Sequence, residues 1–289
     1  MDGKVLLETK SRVAVAPDGN GGLYAALRTP ISPTDKNRTV LSDLESRKVL
    51  YVHAYCVDNC LVRVADPVFV GYGINKQADC AAKVVPKAHP TEAVGVVALR
   101  DGKYNVVEYS EISTAQAEAR DGTTGELLFR AGNIANHVYT TAFLRGVAGF
   151  EDELAFHIAR KKIPHVFLSD GTPVKPSKPN GMKLEMFVFD VFPHTARFAV
   201  LEVARGDEFS PLKNAPGTGA DDPGTSRRDL LAQHRRFLEA AGATVQEGAE
   251  IELSPLVTYA GEGLELVKGK KFARSGVVSA VEELDVLAD

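Results

Sequence analysis

Five stretches of this 289-residue chain carry side chains suited to an anionic, hydroxyl-rich ligand. Ala16-Pro17-Asp18-Gly19-Asn20-Gly21-Gly22-Leu23-Tyr24 sets three glycines and two short polar side chains between apolar Val13-Ala14-Val15 and the helix-compatible Leu23 to Leu27. Glycine lets backbone N–H groups approach a ligand closely and accepts positive φ, so such a passage suits a flat base or a phosphate; a tight turn asks for the same residues. Asp58 ends the β-rich run Lys48 to Val57, where a carboxylate can hold Mg²⁺ against a phosphate or open an Asx turn. Glu108-Tyr109 offers a carboxylate and a phenol to sugar hydroxyls, and equally reads as ordinary strand-edge residues. Asn133, in Ala131-Gly132-Asn133-Ile134-Ala135-Asn136, is an amide in a small-residue loop, suited to a hydroxyl or acetamido group or to a β-turn. Lys213 is the lone cation of Glu208-Phe209-Ser210-Pro211-Leu212-Lys213-Asn214, a point charge for a phosphate or a solvated loop lysine.

The elements that would position these groups alternate between strand and helix. Lys4 to Leu7 and Arg12 to Val15 read as strands about a turn, Gly22 to Arg28 as a helix, and Pro30 to Arg38 as a polar insertion. The nearly continuous apolar run Lys48 to Val57 predicts a central parallel strand stopping at Asp58-Asn59. Further strands are expected at 81–85, 95–99, 105–109, 138–143 and 187–191. Leu154 and Ile158 at helical spacing, acids at the start and Arg160-Lys161-Lys162 before Pro164 predict a helix over 151–162. Ser226-x-x-Asp229 predicts the start of a helix that ends at Gly242. The Gly, Pro, Asp and Asn content of 205–227 marks a linker or mobile loop. Together these elements give an α/β chain with one large domain or two smaller ones.

Thirty-four basic against 38 acidic residues leave a net charge of −4, so no global positive field argues for nucleic acid or an anionic membrane. Apolar runs are strand-sized and the first 25 residues lack a signal-peptide layout, which predicts a cytosolic protein without a membrane span. Three cysteines without CxxC spacing read as reduced thiols, and seven scattered histidines without HxH or HExxH spacing read as packing or surface residues rather than a zinc centre.

Residues 16–24, His53 to Asn59, Val107 to Ile112, Ala131 to His137, Lys178 to Gly181, Phe187 to Asp190, Glu208 to Ala215 and Ser254 to Gly263 resemble, in order, the motifs of eukaryotic-type UDP-N-acetylglucosamine pyrophosphorylases. The likeness runs from residue 3 to about 265 and is greater than that to UDP-glucose pyrophosphorylases. It implies a Rossmann-like, glycosyltransferase-A-like nucleotidyltransferase fold: a mixed sheet flanked by helices, N-terminally incomplete, with a small C-terminal α+β domain. Residues 1–205 would be a partial catalytic domain and 206–289 the C-terminal region with the phosphate-facing loop.

By the same resemblance Gly19 and Asn20 contact uracil and sugar, and Asp58 lies by Mg²⁺ and the phosphates. Gly95, Glu108, Tyr109 and Asn133 line the sugar site, Phe187 and Phe189 flank the N-acetyl group, and Lys213 and Lys183 face the phosphates. As alternating residues of one expected strand, Phe187 and Phe189 would share a face. The implied reaction joins UTP and N-acetylglucosamine 1-phosphate with release of pyrophosphate; the alternative is a nucleotide-sugar binding module without turnover. Nothing in the 289 residues resembles the family's upstream GGxGTRLG-type triphosphate segment or the lysine downstream of it. The expectation is therefore a fragment, a sequence lacking its start, or a protein completed by another chain. Unpaired strand edges should follow.

Overall fold

The protein's structure, a computed structural model, describes residues 3–15 and 19–288. Ala16, Pro17 and Asp18 of the glycine-rich loop lie outside the described residues. In chain order the strands are β1 (Leu7–Thr9), β2 (Arg12–Val13), β3 (Tyr51–Tyr55), β4 (Cys80–Pro86), β5 (Val96–Arg100), β6 (Lys103–Val107), β7 (Ala131–Thr140), β8 (His157–Lys161), β9 (His165–Val166), β10 (Pro173–Val174), β11 (Gly181–Glu185), β12 (Phe198–Glu202), β13 (Thr244–Val245), β14 (Ile251–Leu253), β15 (Lys271–Phe272) and β16 (Gly276–Val278). The helices are α1 (Leu23–Arg28), α2 (Val40–Ser46), α3 (Pro67–Asn75), α4 (Thr114–Glu118), α5 (Thr141–Gly146), α6 (Arg205–Glu208), α7 (Pro223–Ala240) and α8 (Glu283–Leu287).

Six strands form the main sheet in the order β12-β4-β7-β5-β6, with β3 joined to β7. Strand β4, Cys-Ala-Ala-Lys-Val-Val-Pro, is buried from Cys80 to Val85 and sits between parallel β12 and antiparallel β7. That is the pattern of a strand covered on both faces. The expected central parallel strand at 48–57 is corrected: β3 is shorter, half-buried and antiparallel to β7. Among the described residues β3 pairs with β7 alone, which leaves its other edge open. Strand β7 changes neighbours along its length, meeting β5 at Gly132 and β3 from Asn136 onward. Between those points Lys83 faces Asn136 while Val84 faces Asn133, so Ile134 and Ala135 bulge out, with Ala135 at φ 50°.

The main core joins Tyr24, Cys80, Ala82, Val84, Tyr139, Leu144, Val188 and Phe192. A second core is built by Leu238 of α7 with Val245, Ile251, Phe272, Val278 and Leu284. Helix α7 starts at Asp222, whose carboxylate accepts from the Thr225 N–H in a capping box before Pro223. The expected cap at Ser226 is therefore four residues late. Gly242, at φ 93°, ends the helical region as the sequence indicates. The expected linker over 205–227 holds α6 and the first turn of α7.

Three further expectations are corrected. Residues 151–162 form a short 3-10 turn over Glu151–Glu153 and then β8, because Gly181 to Glu185 supply a partner for Lys161 to His157. Val138 to Phe143 is divided where the Thr140 hydroxyl accepts from the Phe143 N–H and starts α5. Phe187 to Val191 is a turn, since the Asp190 carboxylate accepts from the Phe187 N–H at 2.6 Å and the Asp190 N–H returns to the Phe187 carbonyl.

Candidate functional site

The glycine loop is fixed from below by the segment after β11. The Gly21 N–H donates to the Met186 carbonyl at 2.9 Å, and Asn20 Oδ1 accepts from the Val188 N–H at 2.8 Å. A Cβ on Gly19 would lie 2.1 Å from the Met186 oxygen, and one on Gly21 would lie 2.7 Å from the Met186 carbonyl carbon. Close backbone approach, rather than positive φ, is what demands glycine here, since Gly19 itself has φ −58°. The same contacts seat the loop against Phe187 and Phe189, whose ring centroids are 5.1 Å apart in spite of the missing strand.

Gly95, Glu108 and Asn133 meet around β5, β6 and the β7 bulge. The Asn133 N–H donates to the Gly95 carbonyl at 2.8 Å. A Cβ on Gly95 would come within 3.0 Å of Glu108 Oε1. Glu108 follows directly on β6, and its carboxyl is pushed up by burial and then by the charge of Glu111, with His157 opposing. His157 Nε2 lies 2.8 Å from Asp190 Oδ1, and its ring sits 4.7 Å from that of Phe187. Asp190 is likewise pushed up by burial, against the Phe187 N–H and His157. Two carboxyls with raised proton affinity beside an imidazole are the mark of a desolvated polar site. Tyr109 is 51% exposed, out on the turn beyond Glu108.

Asp58 and Lys213 are brought together by two loops that zip along their backbones. The Leu212 N–H donates to the Asp58 carbonyl at 2.8 Å, and the Cys60 N–H to the Ser210 carbonyl at 3.2 Å. Asn59 is buried between the loops, accepting from the Ser210 N–H at 2.9 Å and donating to the Glu208 carbonyl at 2.7 Å. Lys213 is exposed, and its charge acts on both Cys56 and Glu108. Lys183 stands apart on β11, paired with Glu185 at 2.8 Å and lining a 600 Å³ cavity with Glu8, Lys161 and Lys162.

An ionic cluster beneath Lys213 was not legible in the sequence. Lys83 of β4 is fully buried and pairs with both Asp66 and Glu208, while Arg63 lies 3.8 Å from Glu208. Burial pushes the Asp66 carboxyl up, but the hydrogen bond and charge of Lys83 and the Val68 and Phe69 N–H groups outweigh it and hold it below its ordinary range. Glu208 is the residue that opens the Lys213 segment, so the cluster sets where that segment begins.

No group of three or more His, Cys, Asp and Glu side chains that could hold a metal ion occurs among the described residues. Asp58, half-buried, is a carboxylate that could hold a divalent cation if substrate phosphates provided other ligands.

A mixed six-stranded sheet with helices packed on it defines an α/β protein. The family model described as UTP--glucose-1-phosphate uridylyltransferase matches residues 2–289, and the chain belongs to that family. It is 52% identical to the human UDP-N-acetylhexosamine pyrophosphorylase-like protein 1, over 94% of this chain and 55% of that protein. It is 44% identical to the UDP-N-acetylglucosamine pyrophosphorylase of Saccharomyces cerevisiae, over 94% and 56% respectively. The crystal structure of the uridine diphosphate N-acetylglucosamine pyrophosphorylase from Trypanosoma brucei with an inhibitor superposes with a TM-score of 0.79 at 36% identity, covering 92% of this chain and 54% of that one. The chain thus spans about half the length of the curated relatives it matches.

Proposed function

We propose that the chain carries the sugar-binding and much of the nucleotide-binding half of a uridylyltransferase that forms UDP-N-acetylglucosamine and pyrophosphate from UTP and N-acetylglucosamine 1-phosphate. One observation supports this reading: residues scattered over nearly 200 positions of sequence are held in place by specific contacts, Asn20 by the Val188 N–H, Asn133 by the Gly95 carbonyl beside Glu108, and the Asp58 and Lys213 loops by the Leu212 N–H, while the charge of Lys213 acts on Glu108. Family membership and the names of the relatives support it.

In the proposed reaction a sugar-phosphate oxygen attacks the α-phosphorus in line, so alignment and charge neutralisation replace covalent catalysis. Gly19 and Asn20 would present backbone and amide to uracil and sugar. Gly95, Glu108, Tyr109 and Asn133 would hold sugar hydroxyls and the acetamido group, with Phe187 and Phe189 walling its methyl. Lys213 would offset charge growing on the leaving pyrophosphate, and Lys183 would reach the phosphates only after leaving Glu185. Asp58 would hold Mg²⁺, which when bound supplies Lewis-acid polarisation of phosphate oxygens.

The division at 205/206 belongs to this proposal, supported by the separate core around α7 and α8. So does a cytosolic location, supported by three free cysteines. A strand from a further segment or complementing chain along the open edge of β3 is also part of it. Release of pyrophosphate from UTP and N-acetylglucosamine 1-phosphate tests the whole reading. A chain that binds UDP-N-acetylglucosamine in a calorimeter without turnover would be the binding module. Absence of both would overturn the assignment.

A further inference from the structure

The geometry points to His137 as a positioning residue that turns the amide of Asn133 so that only its N–H groups face the sugar; this rests on the proposed nucleotide-sugar site. His137 is completely buried in β7, packed edge-on against Phe192 at 4.9 Å and against Tyr139 at 5.9 Å. Its two ring nitrogens have one partner each. Nδ1 lies 3.0 Å from the Tyr139 hydroxyl, and Nε2 lies 3.2 Å from Asn133 Oδ1.

The proton positions follow from counting donors. The Ala135 N–H donates to Asn133 Oδ1 at 3.1 Å, which identifies that atom as the amide oxygen and so as an acceptor only. His137 Nε2 must then carry the hydrogen, and Nδ1 must accept from Tyr139. Tyr139 has one proton and two acceptors in reach, Nδ1 and the Val188 carbonyl at 3.2 Å; the carbonyl also has the Tyr24 hydroxyl, whereas Nδ1 has no other donor, so the proton goes to Nδ1. Burial, with His53 nearby, lowers the His137 pKa to about 3, so the ring stays neutral and keeps one lone pair for Tyr139. With two donors on Oδ1, the oxygen of Asn133 is spent inside the protein. Its NH2 group remains for the site and selects an acceptor such as the acetamido carbonyl or a hydroxyl oxygen.

The relay reaches further than one amide. Val188, whose carbonyl takes the Tyr24 hydroxyl, gives its N–H to Asn20. Tyr24 lies one turn beyond the glycine loop in α1, and its ring meets that of Tyr139 edge to face at 6.2 Å. One buried string of polar groups therefore connects the loop assigned to uracil, the aromatic wall and the sugar-side amide. Of these groups only Tyr139 lies outside the quoted motifs.

The test is calorimetric titration of the 289-residue chain with UDP-N-acetylglucosamine and, separately, with UMP. His137→Leu removes the donor and keeps apolar volume, and is expected to weaken the nucleotide sugar about tenfold while leaving UMP within about twofold, the size of one oriented hydrogen bond. His137→Gln restores an N–H at the outer ring position and is expected to recover most of that loss. Equal weakening of both ligands, no weakening of either, or no recovery with Gln would overturn the inference. A second reading needs no ligand: nitrogen-15 spectra of the wild-type ring should show the neutral Nε2–H tautomer at pH 5, and Tyr139→Phe should keep it, because Asn133 Oδ1 still takes the Nε2 hydrogen. A protonated ring or an Nδ1–H tautomer in the wild type would overturn it. Failure of the wild type to bind UDP-N-acetylglucosamine would instead strike the functional proposal, while the ring spectra still decide the hydrogen-bond arrangement.

Discussion

Replacing Lys83 by Met should destabilise the protein severely, because it removes the only ammonium between two buried carboxylates. The Lys83 side chain is 0% exposed and those of Asp66 and Glu208 are 3% and 7% exposed. Arg63, at 3.8 Å from one oxygen of Glu208, remains but cannot serve Asp66 as well. Removing one partner of such a buried cluster costs about 3–5 kcal/mol, since the charges left behind keep their desolvation without their counter-ion. For 289 residues the unfolding entropy is about 0.6 kcal/mol/K, so the melting temperature should fall by roughly 5–8 °C. Urea and thermal unfolding followed by circular dichroism measure both numbers.

The pH dependence gives the same cluster a second signature. In the wild type the folded pKa of Asp66 lies below its unfolded value, so its contribution is fully present above about pH 4 and is lost as pH falls through the depressed folded value. From pH 8 to pH 5 the wild-type contribution of Asp66 is therefore flat. In Lys83→Met, burial without a cation raises the folded pKa, so the ionised form is penalised and the deficit should shrink as pH falls. Neutralising the carboxylates as well, in Lys83→Met/Asp66→Asn/Glu208→Gln, should recover part of the loss. A single-variant loss under about 1 kcal/mol, or a deficit independent of pH, would refute an electrostatic role for the cluster.

Other outcomes are expected at the site itself. Lys213→Ala should lower turnover by roughly two to three orders of magnitude, the effect of losing one oxyanion-type donor, and steady-state pyrophosphate release within a few-fold of wild type would count against its role. Gly19→Ala should push the loop away from Met186, weakening UDP-N-acetylglucosamine in calorimetry with a loss of thermal stability of about 1–3 kcal/mol from overpacking; unchanged binding would show that the 2.1 Å approach is relieved cheaply.

The sequence makes the site legible mainly through short motifs whose residues lie in loops. Asp58 and Lys213 share a corner because the Ser210 N–H donates to Asn59 and the Leu212 N–H to the Asp58 carbonyl, and these residues stand in two of the quoted stretches. Strand β4 and helix α7 were visible as an apolar run and as an amphipathic segment ending in glycine. Residues 151–162 look helical because Leu154 and Ile158 satisfy helical spacing, whereas pairing with 181–185 is a non-local contact that no local pattern displays. The Phe187 turn depends on the Asp190 side chain capping a backbone N–H, which competes with the strand period of two. Lys83 and His137 were silent for a different reason. A lysine within an apolar strand and a histidine on the neighbouring strand opposite Ala82 become informative only when the fold shows that each is completely buried with specific partners.

Two-dimensional amide spectra of the isotopically labelled chain, titrated with UDP-N-acetylglucosamine and Mg²⁺, test the convergence of these loops most directly. Saturable shifts should cluster at Asn20, Asp58, Glu108, Asn133, Phe187 to Phe189 and Lys213 together. Shifts confined to one of these loops, or centred on the second core around Leu238 and Phe272, would contradict a single shared site.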